Sequence, residues 1–207
     1  INVTSGSSVR TLGLNVGAQL ILTAVDKISV AGDIATGDVL NIFTFGLIST
    51  QDINAGGFVR ILSGDSQYMN GSTVTTGAIM TTDGLNIRAT GDISVGSING
   101  QLGLNLFGRS NITTGDIMVG NTANIGTEGD LNLGSVASTN GPVTINATGM
   151  LTAGALSSGD TMQINGQLGV NLQDSVTAVQ SVSVITGGTA SFDGLVDAPN
   201  IDRKSVV

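Results

Sequence analysis

The sequence predicts an all-β fold, a parallel β-helix (β-solenoid) of about nine to ten coils with roughly 20 residues in each. Three observations carry this expectation. Apolar-polar-apolar triplets recur once per coil at Leu40-Asn41-Ile42, Val59-Arg60-Ile61, Leu85-Asn86-Ile87, Leu104-Asn105-Leu106, Ala123-Asn124-Ile125, Val143-Thr144-Ile145, Met162-Gln163-Ile164 and Val182-Ser183-Val184, with nearly constant steps between them. Inside each unit the alternation has the period of a strand, and glycine-rich stretches separate the alternating runs. One segment also returns nearly verbatim, Ile98-Asn99-Gly100-Gln101-Leu102-Gly103-Leu104-Asn105-Leu106 as Ile164-Asn165-Gly166-Gln167-Leu168-Gly169-Val170-Asn171-Leu172. Such a chain winds into stacked coils, none stable alone, because the apolar side of each needs neighbours to close the core.

Helix formers such as Glu, Lys and Gln are scarce while Val, Ile, Thr and Gly abound, so long helices have little intrinsic support. Within residues 85–101 the expected order is a strand at Leu85-Asn86-Ile87, a turn at Thr90-Gly91, a strand from Asp92 to Val95, a turn at Gly96, and a third strand through Ser97-Ile98 and Asn99-Gly100. Alternation places Leu85, Ile87, Ile93, Val95 and Ile98 inside, with Asn86, Arg88 and Asp92 outside. Three short faces make one triangular coil, hydrogen-bonded to coils about 4.8 Å above and below, and the stack makes a rod about 45 Å long. The 31 glycines are expected at the corners, where sharp bends favour positive φ. Pro142 and Pro199 fall between coils, where a missing amide donor costs least. The step from Val59 to Leu85 is longer than the others, which places an insertion of about six residues around Asp65 to Ser72, with Tyr68-Met69-Asn70-Gly71 as its loop. Beyond Thr161 two registers are open, with either Ile164 or Val170 continuing the row of triplets. From Asp197 to Lys204 the pattern breaks and turns polar.

The repeat carries through residues 1–207 without a change of character, so the chain reads as one continuous solenoid, less regular over 1–18 and 191–207. It opens on Ile1 with no signal peptide in view, which reads as an internal piece of a longer protein. Charged residues are only 11% of the chain, and Ser, Thr, Asn and Gly fill the positions that charge normally would. Seven Lys and Arg stand against 15 acids, 14 of them Asp, for a net charge of -8. No cationic cluster is present to displace counterions from phosphates, which argues against a nucleic-acid partner. No apolar run reaches the about 20 residues of a membrane-spanning helix. The longest, Val39 to Ile48, is broken by Asn41, Thr44 and Gly46. Without Cys or His the chain has no disulfides, no thiolate or imidazole metal ligands and no Ser-His-Asp triad.

Gly91 to Leu106 has the form Gly-Asp-Ile-x-x-Gly-x-Ile followed by Leu-x-Leu, and Gly115 to Leu133 repeats it with Thr122 in place of the second Ile. Over nearly the whole chain these units resemble the repeats of filamentous haemagglutinin and related large two-partner-secreted exoproteins. The resemblance implies a right-handed parallel β-helix that forms the shaft of a secreted bacterial adhesin or surface filament, extracellular or at the cell surface, and the continuous repeat without a catalytic set leads us to expect no catalytic role. The Asn-Pro-Asn-Leu type of secretion signature is missing, which makes the chain an internal shaft segment. Expected partners are other copies or further repeats joined end to end, since terminal coils present unpaired backbone groups, and a host-cell or glycan receptor bound through a tip outside this segment.

Carboxylates are the acid-base groups left to weigh. β-Helices also carry polysaccharide lyases and tailspike hydrolases that place acids on one face. Asp33 and Asp52, one coil apart, are spaced to stack in that way. Against this, Asp33, Asp92, Asp116 and Asp130 all stand beside glycine, as turn residues do. A flat-faced binding solenoid is a further alternative, but it needs ranks of Thr-x-Thr and only Thr73-Val74-Thr75 offers one. No cofactor is expected. Stacked aspartates could supply oxygen ligands to a structural calcium, yet the Gly-Gly-x-Gly-x-Asp pattern is absent. Glycosylation triplets at Asn2, Asn70, Asn111 and Asn146 are no more than this composition gives by chance.

Two outward rows run along the rod. One, from Asn41 through Arg60, Asn86, Asn105 and Asn124 to Ser183, is polar and suited to side-chain ladders between coils. The next row, Phe43, Leu62, Arg88 and Phe107, is apolar before it turns to Gly126, Asn146 and Asn165. With aromatics only 3% of the chain, these four residues are the candidate contact surface for another chain or another part of the rod, unless a loop covers them.

Overall fold

Short strands fill this chain because branched apolar side chains alternate with small polar ones, and each strand finds its partners one full coil away. The computed structural model describes residues 1–64 and 71–205, with side chains through 202, and contains no helix among them. Its strands form three parallel sheets of 11, 10 and 10 strands, and neighbours within a sheet are always three strands apart along the chain. The chain therefore visits the first, second and third sheet in turn before starting the next coil, which makes a β-solenoid of about ten turns.

One coil shows how the pattern works. Leu85–Ala89 lies in the first sheet, Ile93–Val95 in the second and Ile98–Gly100 in the third. Leu85, Ile87, Ala89, Ile93, Val95 and Ile98 are buried, Arg88 and Asp92 are exposed, and Asn86 is half-buried. Inward positions stack coil on coil, Leu85 against Leu104 and Ile87 against Leu106, and so build one aliphatic core along the rod. A slip of one residue would turn that whole set outward, which is why the register holds.

Steps between coils hold close to the expected length, as from Leu85 to Leu104 and from Ala123 to Val143. Val59 instead pairs with Leu85 across a distinctly longer step. The extra residues lie between the strands Val59–Ser63 and Val74–Thr76, where the first sheet turns into the second. Tyr68, Met69 and Asn70, expected as the loop, lie outside the described residues, while Gly64 and Gly71 flank them with φ of 88° and 63°.

Ile164, not Val170, continues the row of triplets, since it pairs with Ile145 and Val184 in the first sheet while Val170 pairs with Leu151 in the second. The two copies of the near-verbatim segment consequently turn different corners: one passes from third sheet to first, the other from first to second. The polar stretch near the end does not break the pattern, because Asn200–Ser205 is a further strand of the first sheet. Asp202 there stands opposite Ser183, in the row that alternation leaves polar.

Among the described residues only Gly64 and Gly71 have positive φ, so left-handed backbone does not make the corners. Proximity does. A β-carbon on Gly46, Gly115 or Gly120 would run into the carbonyl oxygen of Asp26, Gly96 or Gln101 in the preceding coil. Inward hydroxyls at strand ends complete these corners by donating to carbonyls: Thr36 Oγ1 to Asp38 at 2.8 Å, Thr81 Oγ1 to Gly57 at 2.6 Å and Ser158 Oγ to Gly141 at 3.0 Å. These buried hydroxyls are thereby paired where the backbone leaves the ladders, while Thr114 Oγ1 is buried without a partner.

Candidate functional site

Asp33 and Asp52 do stack on adjacent coils, at the corner between the second and third sheets. Each is engaged by backbone: the Asp52 amide donates to Asp33 Oδ1 at 3.3 Å, and the Ala78 amide donates to Asp52 Oδ1 at 2.8 Å. Asp116 Oδ1 accepts the Ser135 amide at 2.9 Å in the same way. At the corner between the first and second sheets, Asp92, Asn111 and Asp130 form an equivalent ladder, accepting the amides of Asn111, Asp130 and Met150 at 3.0, 3.0 and 2.8 Å. Asn111 works in the middle of that ladder, so the corner requires an acceptor oxygen and not a charge. Gly91-Asp92-Ile93 and Gly115-Asp116-Ile117, from the two copies of the repeat motif, turn different corners with the same bond. Among the described residues no three carboxylates converge on a point where a cation would be held.

The outer face of the first sheet is different in kind. Register places Phe43 beside Leu62, Leu62 beside Arg88 and Arg88 beside Phe107, on four consecutive coils. These four residues line one hollow of about 430 Å³ with Ser63, Gly64, Ala89, Thr90 and Arg109. Arg88 and Phe107 are exposed, while Phe43 and Leu62 are half-buried. The Phe43 ring stands edge-on to Phe45, with centroids 5.2 Å apart and planes at 79°, a favoured geometry that orients it. Arg109 Nε lies 3.9 Å from Glu128 Oε1 at the rim.

Two further hollows extend this one in both directions. The first shares Phe43 and Leu62 and adds Ile21, Asn41 and Arg60. The second shares Arg88 and Phe107 and adds Asn105, Asn124, Thr144 and Asn146. Together they make a shallow trough along the rod. The polar row beside it forms part of the expected ladder, with Asn124 Nδ2 donating to Asn105 Oδ1 at 3.2 Å.

Reading the sequence as rows named the aromatic and aliphatic members of this trough but not Arg60 or Arg109 as members. A signal for them was present. Arg60, Arg88 and Arg109 are three of the chain's seven cations and fall on successive coils. The outer faces of the other sheets carry less. The first coils of the second sheet carry Arg10, Lys27 and Leu47 outward, while its middle coils show one small polar outward residue per strand, Ser94, Thr113 and Asn132. That column is too narrow for ranks of Thr-x-Thr. On the third sheet Met80 and Met118 are exposed on either side of Asn99.

Comparison with protein-family models, with curated proteins and with solved structures gives no match. Function is accordingly inferred from the sites themselves. The trough combines guanidinium donors, aromatic rings and carboxamides, a set suited to holding a ligand.

Proposed function

We propose that this chain is a structural, non-catalytic shaft segment of a secreted bacterial surface adhesin or extracellular filament. The observation that carries the reading is continuity, with strands of the first sheet following one another in parallel from Asn2–Ser5 to Asn200–Ser205. Coils of this kind separate only when the ladders of three strands break together. Corner aspartates strengthen the same direction, since Asp33, Asp52 and Asp116 each accept an amide from the next coil. Carboxylates engaged in this way support a mechanical role over an acid-base one. The low charge, the absence of cysteine and the resemblance to haemagglutinin-type repeats favour an extracellular setting. On this reading further coils or copies adjoin its ends, and a receptor is bound at a tip elsewhere.

Antibodies raised against the purified chain test the proposal by immunogold microscopy of intact source cells. Label is expected on extended surface structures without permeabilisation. Label that needs permeabilisation would overturn the shaft reading. So would depolymerisation of an acidic glycan by the purified chain that is lost on Asp33→Asn or Asp52→Asn.

A further inference from the structure

We propose that the trough on the outer face of the first sheet binds a linear polysaccharide of moderate charge density, one that alternates uronate with neutral sugars. Charge points there first. In a chain of net charge -8, the seven first-sheet strands from Leu20–Ala24 to Val143–Ala147 carry no Asp or Glu at their outward positions and carry Arg60 and Arg88. Both arginines are exposed, and neither meets a carboxylate among the described residues. A face that carries exposed cations and no outward acid on its strands has a local potential opposite to the net charge and attracts anions, although Glu128 at its rim is engaged by Arg109.

The neighbours of the arginines identify the kind of anion. Phe43, Leu62 and Phe107 offer apolar surface and ring faces to the C–H side of a sugar ring. The Asn105 and Asn124 carboxamides offer donors and acceptors together, which is what hydroxyl groups need. An extended trough with rungs about 4.8 Å apart suits a polymer whose rings follow one another at a similar spacing. An acidic peptide fits less well, because extended peptides are captured through main-chain bonds at a sheet edge and this surface is a sheet face. A densely sulfated chain fits less well too, since the rungs on either side of the arginines are neutral. Guanidinium binds carboxylate through two parallel hydrogen bonds, so one or two uronates held by Arg60 and Arg88 would set the register of the polymer.

Calorimetric titration with hyaluronan oligosaccharides, an alternating uronate series, tests this, with dextran sulfate, neutral dextran and poly-glutamate as comparison probes. Binding to hyaluronan is expected, weakened by salt, strengthened as the oligosaccharide lengthens along the trough, and without cleavage of the oligosaccharide. Arg88→Gln and Phe107→Ala should each weaken it by about tenfold or more, as loss of a charge-assisted pair or a ring contact does. Arg88→Lys should fall between Arg88→Gln and the parent, since it keeps the charge and loses the fork. Met118→Ala on the third sheet should bind as the parent does. Both key residues are exposed, and circular dichroism is to check that each variant keeps its sheet content. The proposal is overturned by no binding to hyaluronan, by tighter binding to dextran sulfate or poly-glutamate, or by folded Arg88 and Phe107 variants that bind unchanged. Because these outcomes concern ligand binding alone, they leave the shaft proposal to its own test.

Discussion

Ile87 and Ser94 belong to the same coil and face opposite ways, so a carboxylate placed at each reports the facing directly. Ile87 is fully buried between Ile61 and Leu106, and Ser94 is exposed on the second sheet. Ile87→Asp should cost about 4 kcal/mol or more by burying an unpaired charge, which lowers Tm by about 10 °C or more for a chain of this size. Ser94→Asp should leave Tm nearly unchanged, and thermal melts followed by circular dichroism compare the two. Asn86 is a poorer control than its polar row suggests, because its Oδ1 is shielded and unpaired. At the corners, Asp116→Asn should be close to neutral, whereas Asp116→Ala should cost about 1 kcal/mol by removing the acceptor of the Ser135 amide. Faster hydrogen exchange at that amide in the alanine variant alone would confirm the role. Alternation in the sequence revealed inward and outward positions; it could not reveal the partner of Asp116, which lies a coil away and is joined by geometry alone.

At the scale of the element, corners rather than strands are where local sequence says least. The same segment turns the corner from third sheet to first at Gln101-Leu102 and from first to second at Gln167-Leu168, so only the count of residues per coil decides which turn it makes. That is why the choice between Ile164 and Val170 stayed open in the sequence, while the long step after Val59 was legible as an insertion. Glycine shows the same limit. Its abundance marks the corners, but the reason for it is the carbonyl of the coil beneath, which no local pattern records. Gly115→Ala should therefore destabilise by about 1–3 kcal/mol, as forced overpacking does, because its β-carbon meets the Gly96 carbonyl. Gly17→Ala has open space and no positive φ. It should be neutral or stabilise by up to about 1 kcal/mol through the unfolded chain. Equal melting shifts for the two variants would show that corner packing is not what selects glycine.

Over the whole molecule the fold was legible because one period governs everything, and the trough was half legible for the same reason. Phe43, Leu62, Arg88 and Phe107 fall on one row by counting. Arg109 joins them from just beyond its strand, where the same register sets it beside Thr90. A rod in which each coil touches only its neighbours makes a strong demand on deletions. Removing residues 104–122 takes out one full coil and joins Gly103 to Ala123. The strands Ala123–Thr127, Leu131–Leu133 and Val136–Ser138 would then sit on Leu85–Ala89, Ile93–Val95 and Ile98–Gly100, apolar positions still facing inward. That variant should fold, melt cooperatively and give a scattering profile for a rod shorter by about one 4.8 Å step. Removing only residues 104–113 should lower the melting temperature well below that variant's, because the remnant 114–122 is no full coil and either bulges at the corner, exposing Ile117 and Val119, or pulls the later strands out of register. If both deletions fold equally well, vertical register is not what holds the rod together, and the stacking of the core would have to be explained by hydrophobic contact without fixed partners.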